Sequence, residues 1–223
     1  MVYRVLIASP GDVQTERLSV PAAINDWNIQ HSSKEGVVFI PIKSETHSTP
    51  AFGGHPQEIL IEQFAEVDVV IAIFKSRLGL PTGRADSGTI QEIETYLAKG
   101  KEVMLFFSTD DVPQAQIDTS QYRKLKTFKD KVMKQGIKGV RGLIQQYKKP
   151  DELVAMLPRH LSMLADKLKQ KVQQAATLPT TLAAFIRIGK RSGHTQSPSG
   201  QGGLLFAARV PVFPVDGSGS VCI

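Results

Sequence analysis

The chain has 223 residues, of which 41% are hydrophobic, a formal net charge of +6 and a single cysteine. This length and apolar content predict one folded domain with an extension and exclude a chain that is disordered throughout. One cysteine excludes an internal disulfide, and the lack of an apolar run of about 18 residues predicts no transmembrane helix.

The positive charge is modest in both parts of the chain. Residues 174–223 contain four Lys or Arg and one Asp, a net charge of +3, and the other +3 is spread over residues 1–173. Such a mild excess is not typical of nucleic-acid binding. The N-terminal stretch is too short and too quickly polar for a signal peptide. We therefore expect a cytoplasmic protein with no nucleic-acid partner and no membrane contact.

The first half of the chain alternates strand and helix patterns. Residues 3–8 form an apolar run typical of a buried parallel strand. Residues 13–30 have helical spacing, and Pro21 should kink or split this helix. The elements predicted next are a strand at 37–42, a polar loop at 44–55, a short helix at 56–65 and the most apolar strand at 68–74.

The second half continues this alternation and defines a fold class. Its predicted elements are helix 87–100, strand 102–107, helix 121–134, strand 140–147 and helix 150–172. Five strands alternating with helices predict a parallel sheet covered by helices on both faces. Right-handed crossovers favour the flavodoxin-like strand order 2-1-3-4-5.

The composition changes after residue 173. Residues 174–223 hold 7 of the 18 glycines and 4 of the 13 prolines. We therefore expect an α/β domain at residues 1–173, followed by a Gly/Pro-rich linker or appendage with little structure at 174–223.

The predicted topology places a ligand site before any relative is considered. In the order 2-1-3-4-5 the switch point lies between strands one and three, and ligands bind there, beyond the carboxyl ends of the strands. Gly11 would let a phosphate approach the backbone, and Arg77 would pair with one. The segments expected at the switch point are residues 9–12 and 75–92. Their candidate binding residues are Ser9, Pro10, Gly11, Asp12, Lys75, Ser76, Arg77, Gly88 and Thr89.

Glu92 has two interpretations, which the residues alone leave open. It follows Thr89 by three positions, the spacing of a capping box. It also lies on the first turn of a helix beyond a strand, where a carboxylate is well placed for ligand chemistry.

Several other charged residues have simple structural interpretations. Asp12 is a natural helix N-cap, and Glu16 and Arg17 are expected to form a surface ion pair, although Arg17 could face the pocket. The lysines of residues 121–134 are typical of a solvated helix face, which could also dock an acidic partner.

The sequence predicts no metal site. His47 and His55 lie in a polar loop without cysteine or correctly spaced histidine partners. We therefore expect neither a metal nor a resident cofactor.

Two segments resemble a bacterial family of TIR-like domains of unknown function. They are SPGDVQTER at residues 9–17 and FKSRLGLPTGRADSGTIQEIE at residues 74–94, and the resemblance spans residues 2–169. Domains of this family often precede NTPase sensor modules. The resemblance therefore implies a role in signalling or defence, through self-association or a sensor protein partner.

The resemblance also implies an activity for Glu92. Gly88 to Glu92, GTIQE, is similar to the G-T-x-x-E motif of nucleoside deoxyribosyltransferases, in which the glutamate is the nucleophile. TIR-domain NAD hydrolases also carry their catalytic glutamate on the helix after the third strand, although they often show Trp-Cys where Gly88 and Thr89 stand. The implied substrate is NAD or a related nucleotide or nucleoside.

The shared chemistry is cleavage of an N-glycosidic bond through an oxocarbenium-like ribose. One carboxylate can stabilise this cation or trap it covalently, and nicotinamide leaves as a neutral base without a strong general acid. Three functions are therefore considered. They are an NAD glycohydrolase or related N-glycosidase, a non-catalytic signalling module that self-associates, and a deoxyribosyltransferase-like enzyme.

Overall fold

The computed structural model describes residues 1–43, 48, 56–83 and 85–177. Most of the loop predicted at 44–55, with His47 and His55, and residues 178–223 of the predicted appendage lie outside the described residues. The strands are β1 (Val2–Ala8), β2 (Val38–Lys43), β3 (Val69–Phe74), β4 (Glu102–Ser108) and β5 (Ile144–Tyr147). The α-helices are α1 (Gln14–Glu35), α2 (Pro56–Gln63), α3 (Gly88–Ala98), α4 (Thr119–Gln135) and α5 (Pro150–Thr177).

The five strands form one parallel sheet in the order β2-β1-β3-β4-β5, which confirms the predicted flavodoxin-like topology. The central strand β3 pairs with β1 and β4, with Val69 opposite both Val5 and Glu102. All six residues of β3 are buried. This explains its continuous apolar run, because a central parallel strand is covered on both faces.

Two hydrophobic cores lie on opposite faces of the sheet. Ile71 and Ile73 of β3 pack into a core that α1 and α5 cover, with Trp27 fully buried in it. Ala72 and Phe74 point to the other core, which α2, α3 and α4 cover. Alternate side chains of a strand thus pack against helices on opposite faces of the sheet, as the sequence predicts.

Helix α1 is continuous across Pro21, so the prediction that this proline splits the helix is wrong. Val20 and Ile24 are fully buried on either side of it. We infer that their packing outweighs the hydrogen bond that proline cannot donate. The helix ends at Gly36, whose φ of 66° allows its N–H to bond the Ser32 carbonyl at 2.8 Å.

The last helix, α5, runs to Thr177, beyond the end predicted at residue 172. It presents Leu153, Leu157 and Leu161 to the core at helical spacing, and all three are fully buried. No helix among the described residues combines the length and the apolar content needed to cross a membrane.

Candidate functional site

The carboxyl ends of β1 and β3 open onto two neighbouring cavities. The first has a volume of about 560 Å³ and the second about 700 Å³. Both volumes fall within the range of small-molecule sites. Gly11, Arg77 and Asp118 line both cavities, so these residues form a shared wall.

The structure places all ten predicted site residues around these cavities. The first cavity contains Glu92, and the second contains Asp12, Lys75 and Ser76. The other predicted residues of the first cavity are Ser9, Pro10, Gly11, Arg77, Gly88 and Thr89. The parallel topology explains this grouping, since the carboxyl ends of neighbouring strands meet at one edge of the sheet.

Glu92 does not cap its helix, so the capping-box interpretation is wrong. Helix α3 begins at Gly88, and its N-cap is Ser87, whose Oγ accepts the Ile90 N–H at 3.1 Å. The helix therefore starts before Thr89, which lies inside the first turn. Glu92 is then too far along the helix for the reciprocal bond to the N-cap.

The Glu92 side chain lies in a buried, charged environment. The residue is only 8% exposed. Burial lowers the pKa of the half-buried Arg17 guanidinium, and the negative charge of Glu92 opposes that shift. Burial and the Glu92 charge together raise the pKa of Tyr96, whose hydroxyl donates to the Phe64 carbonyl at 2.9 Å. Glu92 therefore interacts electrostatically with a cation from α1 and a phenol from its own helix.

Glu16 and Arg17 do not form the predicted surface ion pair. Glu16 is 2% exposed, and its Oε1 accepts a hydrogen bond from the Tyr147 hydroxyl at 3.0 Å. Burial and the charge of Glu16 raise the pKa of Tyr147, which favours the protonated, donating hydroxyl. Consecutive helical residues point in different directions, and this separates the buried Glu16 from Arg17.

Asp12 joins the loops that follow β1 and β3, and the prediction that it caps α1 is wrong. The N-cap of α1 is Val13, which has no side-chain cap. The Asp12 Oδ2 instead accepts hydrogen bonds from the Ser76 N–H at 2.8 Å, the Ser76 hydroxyl at 2.8 Å and the Arg77 N–H at 3.0 Å. This one carboxylate oxygen fixes the backbone of the wall that the cavities share.

Two polar atoms at this wall are buried without a hydrogen-bond partner among the described residues. They are the Ser9 Oγ and the Asp12 Oδ1. Most buried polar atoms in proteins are paired, so each exception calls for an explanation, of which a functional role is one. Both residues belong to the segment that the sequence singled out after the first strand.

The two predicted cations of the site differ in their surroundings. The Lys75 ammonium donates to Asp110 at 3.1 Å, and Lys149 approaches the same carboxylate at 3.1 Å. Hydrogen bonds from Lys149 and Lys75 hold the pKa of Asp110 below its usual range. Arg77 is exposed and makes no ion pair within the described chain. Arg77 is therefore the better placed of the two for an anionic ligand group.

Two contacts that no sequence pattern predicts position the long loop between β3 and α3. The Gln121 Oε1 of α4 accepts the N–H groups of Leu78 and Gly79, at 3.2 and 3.1 Å. The Thr82 hydroxyl donates to the Gln91 Oε1 at 2.6 Å. Gln121 lies more than 40 positions from its partners, and no local sequence pattern identifies such a contact.

The fold and its two cavities define a flavodoxin-like α/β domain with a ligand-sized site at the switch point. The chain belongs to the family described as Domain of unknown function (DUF4062), which matches residues 4–162. No match is found among curated proteins. No group of three or more His, Cys, Asp or Glu among the described residues is arranged to hold a metal ion.

Two solved structures show distant similarity to the chain. One is translation elongation factor SelB from Methanococcus maripaludis, apo form, with a TM-score of 0.39 and 8% identity over 72% of this chain. The chain spans only 36% of the SelB chain. The other is RosB with bound 8-demethyl-8-formylriboflavin-5'-phosphate, with a TM-score of 0.34 and 11% identity over 98% of this chain and 99% of that one.

Proposed function

We propose that this domain is TIR-like and hydrolyses the N-glycosidic bond of NAD or a related nucleotide, with Glu92 as the catalytic residue. The observation that carries the proposal is the position of Glu92. It is a buried carboxylate that lines the switch-point cavity, and Ser87 has taken the capping role that would otherwise explain it.

The surroundings of Glu92 suit stabilisation of a cationic transition state. A carboxylate in a partly desolvated cavity acts more strongly on a ribose cation than one in water. Glu92 also interacts electrostatically with the Arg17 guanidinium, whose positive charge it stabilises. In the proposed step the C1′–N bond breaks, and its electron pair neutralises the cationic nicotinamide ring. A water oxygen then bonds to C1′ and releases a proton.

Residues on the shared wall would bind the rest of the nucleotide. Arg77 of that wall offers an exposed side chain for a phosphate group, and the buried Ser9 Oγ of the first cavity has no hydrogen-bond partner among the described residues. The likeness of residues 9–17 and 74–94 to bacterial TIR-like domains supports a role in cytoplasmic signalling or defence.

The test is incubation of the concentrated full chain with NAD, with nicotinamide and ADP-ribose measured by chromatography. We expect Glu92→Gln to lose at least about a hundredfold in rate, because glutamine carries no charge to stabilise the oxocarbenium ion. Its melting temperature should stay within about 2 °C of wild type, since the substitution preserves shape.

The matched control is Glu94→Gln on the same helix. Glu94 bonds Lys138 at 3.0 Å and does not line the switch-point cavity, so its loss should leave the rate nearly unchanged. Full activity in Glu92→Gln would contradict the mechanism. Base exchange between nucleosides without hydrolysis of NAD would favour the deoxyribosyltransferase alternative. No turnover of either substrate at any protein concentration would favour a non-catalytic, self-associating module.

A further inference from the structure

One continuous segment accounts for the net positive charge of the protein. Residues 119–141, comprising α4 and the turn that follows it, contain eight Lys or Arg and one Asp, a net charge of +7. The rest of the chain therefore carries −1. The turn is a tight hairpin in which Ile137 pairs with Val140, and Lys138 and Gly139 have φ of 47° and 79°.

A groove of about 490 Å³ lies between α3, α4 and this hairpin. Lys124, Phe128, Lys131 and Gln135 of α4 line it, because the spacing i, i+4, i+7, i+11 places them on one helical face. We call this surface the basic groove. Its apolar floor is formed by Ile90, Phe128, Val132 and Ile137, and in its rim the cations Arg123, Lys124, Lys131 and Lys138 outnumber the carboxylates Asp86 and Glu94.

The apolar surface continues on the other side of the hairpin. A second cavity of about 410 Å³ shares Val132 and Ile137 with the basic groove. It is also lined by Val140, which is 52% exposed, and Leu143, which is 98% exposed. These residues extend the apolar surface around the hairpin, and a contiguous exposed apolar surface is typical of an interaction site.

Most of the rim cations lack an acidic partner within the described chain. Lys138 bonds Glu94 at 3.0 Å, but Arg123, Lys124 and Lys131 are exposed and make no ion pair among the described residues. Their charges are therefore available to a binding partner.

We propose that the basic groove docks an acidic amphipathic segment of a partner protein. Apolar side chains at helical spacing would occupy the floor, as in helix-in-groove recognition, while carboxylates on the flanks would meet the rim. The positive charges of the rim would speed association with negatively charged ligands and disfavour positively charged ones. This surface is separate from the Glu92 cavity, so the inference does not depend on the proposed catalysis.

The charge and the apolar floor together favour an acidic protein segment over other occupants. Nucleic acids bind mainly through phosphate contacts, which do not require an apolar floor. Residues 178–223 of this chain carry a net charge of +3 and would be repelled by the rim. An acidic protein segment with apolar anchors complements both features.

The test is selection of a random 16-residue peptide display library on the full chain, followed by anisotropy measurements on the enriched peptides. We expect enriched peptides with net negative charge and apolar residues at i, i+3 or i+4. Their affinity should fall at least about tenfold on the double variant Lys124→Glu/Lys131→Glu, which reverses two rim charges. Replacing the apolar anchors of a peptide with serine should also abolish binding.

The matched control is Lys126→Glu/Lys134→Glu, which reverses the same charge on the same helix at residues that line neither cavity. It should change affinity less than about threefold, and both variants should melt like wild type. Failure to enrich acidic peptides would overturn the proposal, as would equal weakening by the two double variants. Tighter binding of a 20-nucleotide single-stranded DNA, weakened equally by both variants, would identify a general polyanion surface instead.

Discussion

At the scale of single residues, Asp12 holds two loops of the candidate site together. Its Oδ2 accepts three hydrogen bonds from Ser76 and Arg77. Asp12→Ala would leave the donors of the buried Ser76 without a partner, so we expect a loss of about 2–3 kcal/mol in the free energy of unfolding. The melting temperature should fall by roughly 4–12 °C, at about 2–4 °C per kcal/mol for a domain of this size. Thermal unfolding followed by circular dichroism measures this change.

A second aspartate provides the comparison for this prediction. Asp26 is exposed on α1 and makes no side-chain hydrogen bond or ion pair with the described residues, so Asp26→Ala should change stability by no more than about 0.5 kcal/mol. Equal melting temperatures for Asp12→Ala and Asp26→Ala would contradict the prediction, because the loops would then keep their positions without the Asp12 carboxylate.

The location of the ten predicted residues was predictable from the sequence, but their contacts were not. The parallel strand order places the ten predicted residues around the two cavities. Spacing, however, suggested only local partners, such as Thr89 for Glu92. The actual partners of Asp12 lie 64 and 65 positions away, and that of Glu16 lies 131 away. Such contacts depend on how strands and helices assemble, which short-range patterns do not encode.

At the scale of elements, helix α5 is bound to the sheet by an ion cluster at the start of β4. Glu102 accepts hydrogen bonds from Lys167 at 2.6 Å and Lys171 at 2.5 Å. Burial alone would raise the pKa of Glu102, but these hydrogen bonds and positive charges outweigh burial and hold it below the ordinary value of 4.5. The cluster therefore makes the attachment of α5 sensitive to acid.

We expect this cluster to contribute to the loss of folding stability at low pH. Because the folded-state pKa of Glu102 is depressed, its stabilisation is complete above the ordinary value of 4.5 and is lost as pH falls through the folded value. Glu102→Gln should be less stable than wild type near pH 7 and should lose less stability on acidification. Urea unfolding midpoints between about pH 3 and 7 test this. If wild type and Glu102→Gln lost stability equally as the pH falls, Glu102 would not contribute to acid sensitivity.

The order of strands and helices was predictable because each buried strand is marked by an apolar run. Some boundaries of these elements were not predictable. Buried parallel strands such as β3 read as unbroken apolar runs. The strand predicted at residues 140–147 is shorter, since β5 begins at Ile144. Residues 137–140 form a hairpin instead, where the positive φ of Gly136 and Gly139 favours a turn. The apolar residues there do not join the sheet: Ile137 lines both cavities beside the hairpin, and Val140 lines the second one.

At the scale of the whole molecule, the net charge gave little indication of how charge is distributed. A total of +6 looks mild, yet residues 119–141 alone carry +7. A windowed count along the sequence would have found this concentration. The sequence could not show that α4 places several of these charges around an apolar groove, because that arrangement depends on the packing of α3 and the hairpin against α4.

Both hydrophobic cores can be built from the described residues alone. The last core residue among the described ones is Leu168. We expect the protein truncated after Thr177 to melt within about 2 °C of the full chain, because truncation removes none of these buried contacts. Differential scanning calorimetry of both forms provides the comparison. A fall of several degrees would show that residues 178–223 stabilise the domain.

Trp27 gives the protein a spectroscopic reporter that is separate from its candidate site. It is the single tryptophan of the chain, it is 1% exposed, and its indole N–H donates to the Ser162 hydroxyl of α5 at 3.0 Å. It lies 13 positions after Gln14 in α1, roughly 20 Å along the helix. Its fluorescence should therefore shift to the red when α1 and α5 separate during unfolding, and it should remain unchanged when a ligand enters the Glu92 cavity.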